Sequence, residues 1–162
     1  MVKILNTALA ALAIGGLAMS APAYGQYKQK ISNDMSKCRG SGPAVKVTVT
    51  GVKSGSGTMR VQLYRATKSE WLEKGRWLNR IETPARAGTM TFCLPAPSAG
   101  TYGVAVRHDL NGDRKTDIFS DGGAISNNPS INILNLGKPN YKKAAFAVGN
   151  TVESINVRMR YR

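Results

Sequence analysis

After residue 43 apolar and polar residues alternate with a period of two, and this restricts the chain to half-buried β-strands. Val45, Val47 and Val49 alternate with Lys46, Thr48 and Thr50. Met59, Val61 and Leu63 alternate with Arg60, Gln62 and Tyr64, and the intervening Lys53-Ser-Gly-Ser-Gly57 is turn chemistry, so a first hairpin is expected. Met90, Phe92 and Leu94 alternate with Thr89, Thr91 and Cys93 as a third strand. After the turn Pro95-Ala-Pro-Ser-Ala-Gly100, the residues Tyr102, Val104, Val106 and His108 share one face of a fourth. Ala145-Phe-Ala-Val148 and then Ile155, Val157, Met159 and Tyr161 supply two more. Little helix intervenes, which favours an all-β antiparallel β-sandwich over a parallel sheet.

One stretch breaks the period. Thr67-Lys-Ser-Glu70 fits a capping box, and Trp71, Leu72 and Leu78 share a face at helical spacing. These predict one short helix over 68–79 lying on the sheet, weakened by Gly75. Both tryptophans fall here, and core packing is favoured for them over an aromatic ligand platform.

The chain of 162 residues is long enough for one domain with a tail. Met1-Val-Lys3 is a short basic start, Ala8 to Met19 is apolar, and small residues follow at Ala21-Pro-Ala23 and Ala23-Tyr-Gly25. That layout predicts a secretory signal peptide over 1–25, cut after Ala23 or Gly25, with a membrane anchor as the alternative. No later run reaches the roughly 18 apolar residues of a membrane helix, so no transmembrane segment is expected in the mature chain. Cys38 does not follow the apolar run closely, which argues against a lipoprotein. Residues 26–43 read as an extended lead-in and 44–162 as the β-sandwich domain. An exported chain with two cysteines meets an oxidising compartment, so a Cys38–Cys93 disulfide is expected, with two buried free thiols as the alternative.

Charge narrows the function. Lys and Arg total 23 against 9 acids, a formal net charge of +14. Loss of residues 1–25 removes only Lys3 among charged side chains, leaving +13. Such a surface draws anionic partners. Arg158, Arg160 and Arg162 alternate onto the face opposite Val157, Met159 and Tyr161, with Lys138, Lys142 and Lys143 just before them. These six are the candidate anionic-surface set, although a solvated, edge-protecting face is the plainer reading. A single His and two distant Cys exclude a zinc cluster. Neither a Gly-rich phosphate loop nor GxSxG occurs. Export, few aromatics and the lack of a recognisable module argue against specific nucleic-acid binding.

The acids are unevenly placed. Asp109, Asp113, Asp117 and Asp121 fall within 13 residues of a strongly basic chain. Asp109, Asn111 and Asp113 stand at positions 1, 3 and 5, with the Lys115 carbonyl at 7, Asp117 at 9 and Asp121 just beyond. Calcium loops present oxygens in that order, because the chain curls around a hard cation. Arg114 replaces the glycine expected at position 6, and Ser120 the glutamate at position 12. Alternatively, Asn111-Gly112 is a plain turn whose backbone the flanking Asp residues satisfy. Both readings stay open, and calcium is the one cofactor considered.

The stretch Gly100-Thr-Tyr102-Gly-Val-Ala-Val-Arg-His108-Asp109-Leu-Asn111-Gly-Asp113-Arg-Lys-Thr-Asp117 resembles the central motif, approximately GxYAVxxxHDxNxNGxxD, of the domain of unknown function 2141 family. Ser126-Asn127-Asn128-Pro129 is similar to the family's SNN element, and the stretch from Gly137 to Val148 to its PxFxxAxF element. The chain departs from the pattern in a shorter segment, Ile118 to Ile125, and in Lys142 and Lys143 where acids are usual. The resemblance implies an immunoglobulin-like or transthyretin-like β-sandwich, export in a Gram-negative cell, and no established activity.

The expected function is therefore an exported, non-enzymatic binding or structural module, periplasmic or secreted, with anionic envelope components such as lipopolysaccharide phosphates or acidic glycan as the expected partners. No catalytic residue is assigned. The alternative is a periplasmic enzyme with His108 as general base beside Asp109. Neighbouring strand residues point to opposite faces, so Asp109 orients His108 only if the strand ends between them. His108 is expected instead at the edge of the core, hydrogen-bonded to the loop that follows.

Overall fold

The structure, a computed structural model, describes residues 26–115, 117, 120–131 and 137–161. The predicted signal peptide over 1–25 and Arg162 lie outside the described residues. Among the described residues nine strands form two sheets. The larger has the order β1 (Gln29–Lys30), β4 (Asn79–Pro84), β3 (Thr58–Arg65), β6 (Gly100–Asp109) and β7 (Gly122–Ile125), with β8 (Phe146–Val148) also pairing β6. The smaller runs β5 (Gly88–Pro95), β2 (Ala44–Val52) and β9 (Val152–Arg158). The fold is an all-β sandwich, as the alternation requires.

The core lies between the sheets. Val45, Val47 and Val49 of β2 and Phe92 and Leu94 of β5 are fully buried against Met59, Val61 and Leu63 of β3 and Tyr102 and Val104 of β6. Fully burying one such side chain is worth roughly 1.5–3 kcal/mol. The apolar members of each run thus hold the two layers together.

Three expectations are corrected. β2 and β3 do not form a hairpin: β2 pairs β5 and β9, while β3 pairs β4 and β6. The turn at 53–57 carries the chain from one sheet to the other, so the two apolar faces meet across the core. Gly57 fixes this crossing. Its φ is +74°, and a Cβ there would lie 1.9 Å from the Asp109 carbonyl oxygen, so only glycine lets the turn close on the end of β6.

The sheets are mixed rather than antiparallel, because β1 pairs β4 and β9 pairs β2 in parallel. The parallel register sets Val157 of β9 level with Val49 of β2, so both enter the core.

Finally, 68–79 is not a helix. One turn forms, with the Thr67 carbonyl accepting from Trp71 N, and then Leu72 and Gly75 take positive φ of 56° and 77°. The segment folds back so that Asn79 can begin β4. Trp71 and Trp77 are nonetheless buried, in a second small core on the outside of the larger sheet with Tyr64, Ile125 and Ala144. The only α-helix among the described residues is α1 (Tyr141–Ala144), capped by the Asn140 side chain accepting from Lys142 N.

The lead-in over 26–43 carries two short ordered elements. Besides β1 it holds a 3-10 turn at Met35–Cys38, and Cys38 is bonded to Cys93 of β5 with a Cα separation of 5.8 Å. Asn33 supports the same junction, accepting from Cys93 N and donating to the Thr91 carbonyl. The expected disulfide is present.

Candidate functional site

The acidic loop follows β6 directly. Asp109 is buried, and its carboxylate accepts from the backbone N–H of Gly112 at 2.9 Å and of Arg114 at 2.9 Å, and from Arg107 Nη2 at 3.1 Å. Asn111 Oδ1 accepts from Asp113 N, and Asp113 Oδ1 from Lys115 N. Asp121, also buried, accepts from Leu110 N and Asp117 N, and so ties the loop's two ends together. Asp117 Oδ1 accepts from Ser120 N, and the Asp117 carbonyl from Asp121 N. Gly112 and Arg114 both have positive φ, which turns these amides inward. Each acid therefore serves as a backbone cap. Among the described residues no group of three or more His, Cys, Asp or Glu side chains is gathered to hold a metal ion.

His108 is fully buried on the inner face of β6. Its Nε2 lies 2.7 Å from the Ser56 carbonyl oxygen and its Nδ1 2.8 Å from the Tyr161 hydroxyl. A carbonyl only accepts, so Nε2 carries the proton and, in the neutral ring, Nδ1 accepts from Tyr161. The Tyr161 oxygen in turn accepts from Lys53 N. The partners come from the β2–β3 crossing and the C-terminal end, not from the loop after β6. Gly122, the register partner of His108, makes room for this: a Cβ there would lie 2.2 Å from Tyr161 Cε1. Burial raises the Tyr161 hydroxyl above its ordinary pKa of 10.0, although the Lys53 amide lowers it in part.

The SNN element is a brace. Ser126 Oγ donates to the Ala144 carbonyl at 2.6 Å and accepts from Val104 N at 3.0 Å. Asn127 and Asn128 both have positive φ. Asn127 donates to the carbonyls of Lys143 and Ala145, while Asn128 donates to the Asn156 carbonyl and accepts from Arg158 N. The three residues bind α1 and β9 to β6.

The predicted basic residues are partly brought together. Lys138, Lys142, Lys143, Arg158 and Arg160 are all exposed. Lys138 and Arg160 line one groove, whereas Lys142 and Lys143 sit on α1 and Arg158 at the end of β9.

A second basic cluster lies on the outer face of the larger sheet. Arg60 and Arg107 are cross-strand partners, and Arg80 is paired with Gln62. Arg60 Nε donates to Glu82 at 2.6 Å, and Arg80 and Lys30 stand 3.7 and 3.9 Å from the same carboxylate. Arg80 also covers the Trp77 ring at 4.1 Å, a cation–π contact. With its amide oxygen toward β4, Gln62 accepts from Arg80 and from the Tyr64 hydroxyl. Burial and then the Arg60 charge lower the guanidinium pKa of both Arg80 and Arg107. Burial pushes the Tyr64 phenol up to about 12. Of the three arginines only Arg60 belongs to the polar alternation of β3, and Arg80 joins it through the β3–β4 register. Arg107 needed the β3–β6 register, which no local pattern encodes.

Among the described residues no helix is long and apolar enough to cross a membrane. No curated protein and no solved structure matches the chain. One family model does match, that of the uncharacterized protein conserved in bacteria (DUF2141), over residues 47–156. That span runs from β2 to β9 and takes in His108, the acidic loop and the SNN brace, so the chain belongs to the domain of unknown function 2141 family.

Proposed function

We propose that the protein is a non-enzymatic binding module of the cell envelope, periplasmic or secreted, whose basic surface engages anionic envelope components such as lipopolysaccharide or acidic glycan. The observation that carries this reading is the placement of its cations. Lys138, Lys142, Lys143, Arg158 and Arg160 are exposed, and among the described residues none of them forms an ion pair with a carboxylate. A charge of +13 that is not neutralised locally favours association with anionic surfaces and makes it salt-dependent.

Catalysis by His108 has less support. A base must reach its substrate, and this imidazole is fully buried with both nitrogens engaged. A weak calcium site at Asp109, Asn111, Asp113, Lys115, Asp117 and Asp121 is a separate proposal. Its support is the oxygen spacing and the four carboxylates in one loop. An ionised carboxylate has about four acceptor sites, so Asp109, with three donors, retains capacity.

The test is sedimentation with vesicles. The mature protein should pellet with lipopolysaccharide-containing vesicles at low salt, be released by rising salt, and stay in solution with zwitterionic ones. Equal binding to both kinds would overturn the reading.

A further inference from the structure

The outer face of the larger sheet carries two adjoining cavities that share Arg60 and Arg107. One, of about 490 Å³, is polar, with Lys30, Arg80 and Arg114 added to the shared pair and Glu82 and Asp109 as its acids. The other, of about 530 Å³, has apolar walls from Tyr64, Leu72, Ala105, Ile125 and Ile131, with Lys138, Arg160, Asp117 and Asp121 at its rim. Both volumes fall in the range of small-molecule sites.

The charges do not cancel. Glu82 is shared by three cations, and the Asp109 carboxylate is already held by two loop amides as well as Arg107. The Arg60, Arg80 and Arg107 side chains are only 17%, 19% and 12% exposed, so water screens them little. Like charges on facing strands are unfavourable, and a bound oxyanion offsets that by bridging them with charge-assisted hydrogen bonds. The apolar wall has its own strained member. Leu72 holds a φ of 56°, where a leucine is rarely found, and its side chain lines the cavity.

We infer that this face binds a single-chain anionic amphiphile, its oxyanion head at Arg60, Arg80 and Arg107 and its acyl chain over Ala105 and Ile125 toward Leu72. The inference rests on the anion-binding reading above and names a ligand class and a site for it. Carboxylate and phosphate-ester heads share the chemistry.

Calorimetric titration of the mature protein with octanoate, octyl phosphate, 1-octanol, acetate and inorganic phosphate tests it. Octanoate or octyl phosphate should bind about tenfold or more tightly than 1-octanol, acetate or inorganic phosphate, and the tighter of the two identifies the head. Arg60→Gln should weaken that binding about tenfold, as loss of a charge-assisted contact does. Ala105→Leu, which fills the floor, should weaken it while leaving inorganic phosphate unaffected. Thermal melting of each variant shows that it folds, and a Lys46→Gln, Lys68→Gln variant, changed at two exposed lysines outside both cavities, should bind the tighter ligand like the wild type. Absence of binding, equal binding of 1-octanol, or an unchanged Arg60→Gln overturns the inference. Failure here with salt-dependent binding to lipopolysaccharide vesicles intact would sink this site alone and leave the broader reading standing.

Discussion

His108 joins three parts of the chain at one buried ring. The histidine, Tyr161 and the Ser56 carbonyl connect β6, the C-terminal end and the β2–β3 crossing through two hydrogen bonds to one ring. Gly122 makes the space for Tyr161, so Gly122→Ala should displace the tyrosine and break the His108 bond. The expected cost is about 1–3 kcal/mol, that of leaving a buried polar group unsatisfied, read by chemical denaturation. A change below a few tenths would mean that the pair contributes little. Glu82 is the acid-sensitive residue of the arginine face. Partial burial pushes its carboxyl up, but the Arg60 hydrogen bond and the charges of Arg60, Arg80 and Lys30 together hold it below the ordinary 4.5. A depressed folded-state pKa contributes stability that is present above the unfolded value and is lost as pH falls through the folded one. Glu82→Gln should therefore melt below the wild type at pH 6–7, with the gap closing below about pH 4.5. The difference is of order 1 kcal/mol or less for a partly exposed pair. A gap that widens in acid would contradict the assignment.

At the scale of elements, the disulfide ties the Met35–Cys38 turn to β5 across a sequence separation of 55 residues. Chain-entropy reasoning puts the stabilisation at about 4 kcal/mol as an upper figure. Reduction should lower the melting temperature without unfolding the protein at room temperature, and an unchanged melt would show that the lead-in docks without its staple. The acidic loop tests the calcium proposal. Asp113 is exposed, so Asp113→Ala is the fair variant, whereas Asp109 is buried and its loss would disturb the fold. At about ten times a Kd of 10⁻⁴–10⁻³ M, linkage gives about 1.4 kcal/mol, or a few degrees. Millimolar calcium should raise the wild-type melt by that amount and leave Asp113→Ala unmoved. Equal shifts would reduce the effect to screening. The strands at 45–49, 59–63, 90–94 and 102–108 were legible because their alternation is local. β4 and β7 were not: β4 follows a segment with helical spacing at Trp71, Leu72 and Leu78, and β7 is the short Gly122-Gly-Ala-Ile125, without enough side chains to show a period. The hairpin expectation failed because turn chemistry specifies a reversal and not which sheet receives the returning strand.

For the whole molecule, the pattern identified the sandwich but not its pairing, since β2–β9 and β1–β4 join segments far apart in sequence. The same limit applies to the candidate site. Charge composition pointed to the basic C-terminal strand, whereas the Arg60, Arg80 and Arg107 cluster exists only once β3, β4 and β6 are in register. The central claim is that a basic surface holds this protein to anionic envelope components. Its most direct test is vesicle sedimentation of the wild type beside a variant carrying Lys138→Gln, Lys142→Gln, Lys143→Gln, Arg158→Gln and Arg160→Gln, five exposed positions whose change spares the core. The wild type should pellet with lipopolysaccharide-containing vesicles at 50 mM salt and be released by about 200 mM, within the range where screening between exposed charges grows. The variant should remain largely in solution at both. A variant that pellets as fully as the wild type, or a wild type indifferent to salt, would contradict the account.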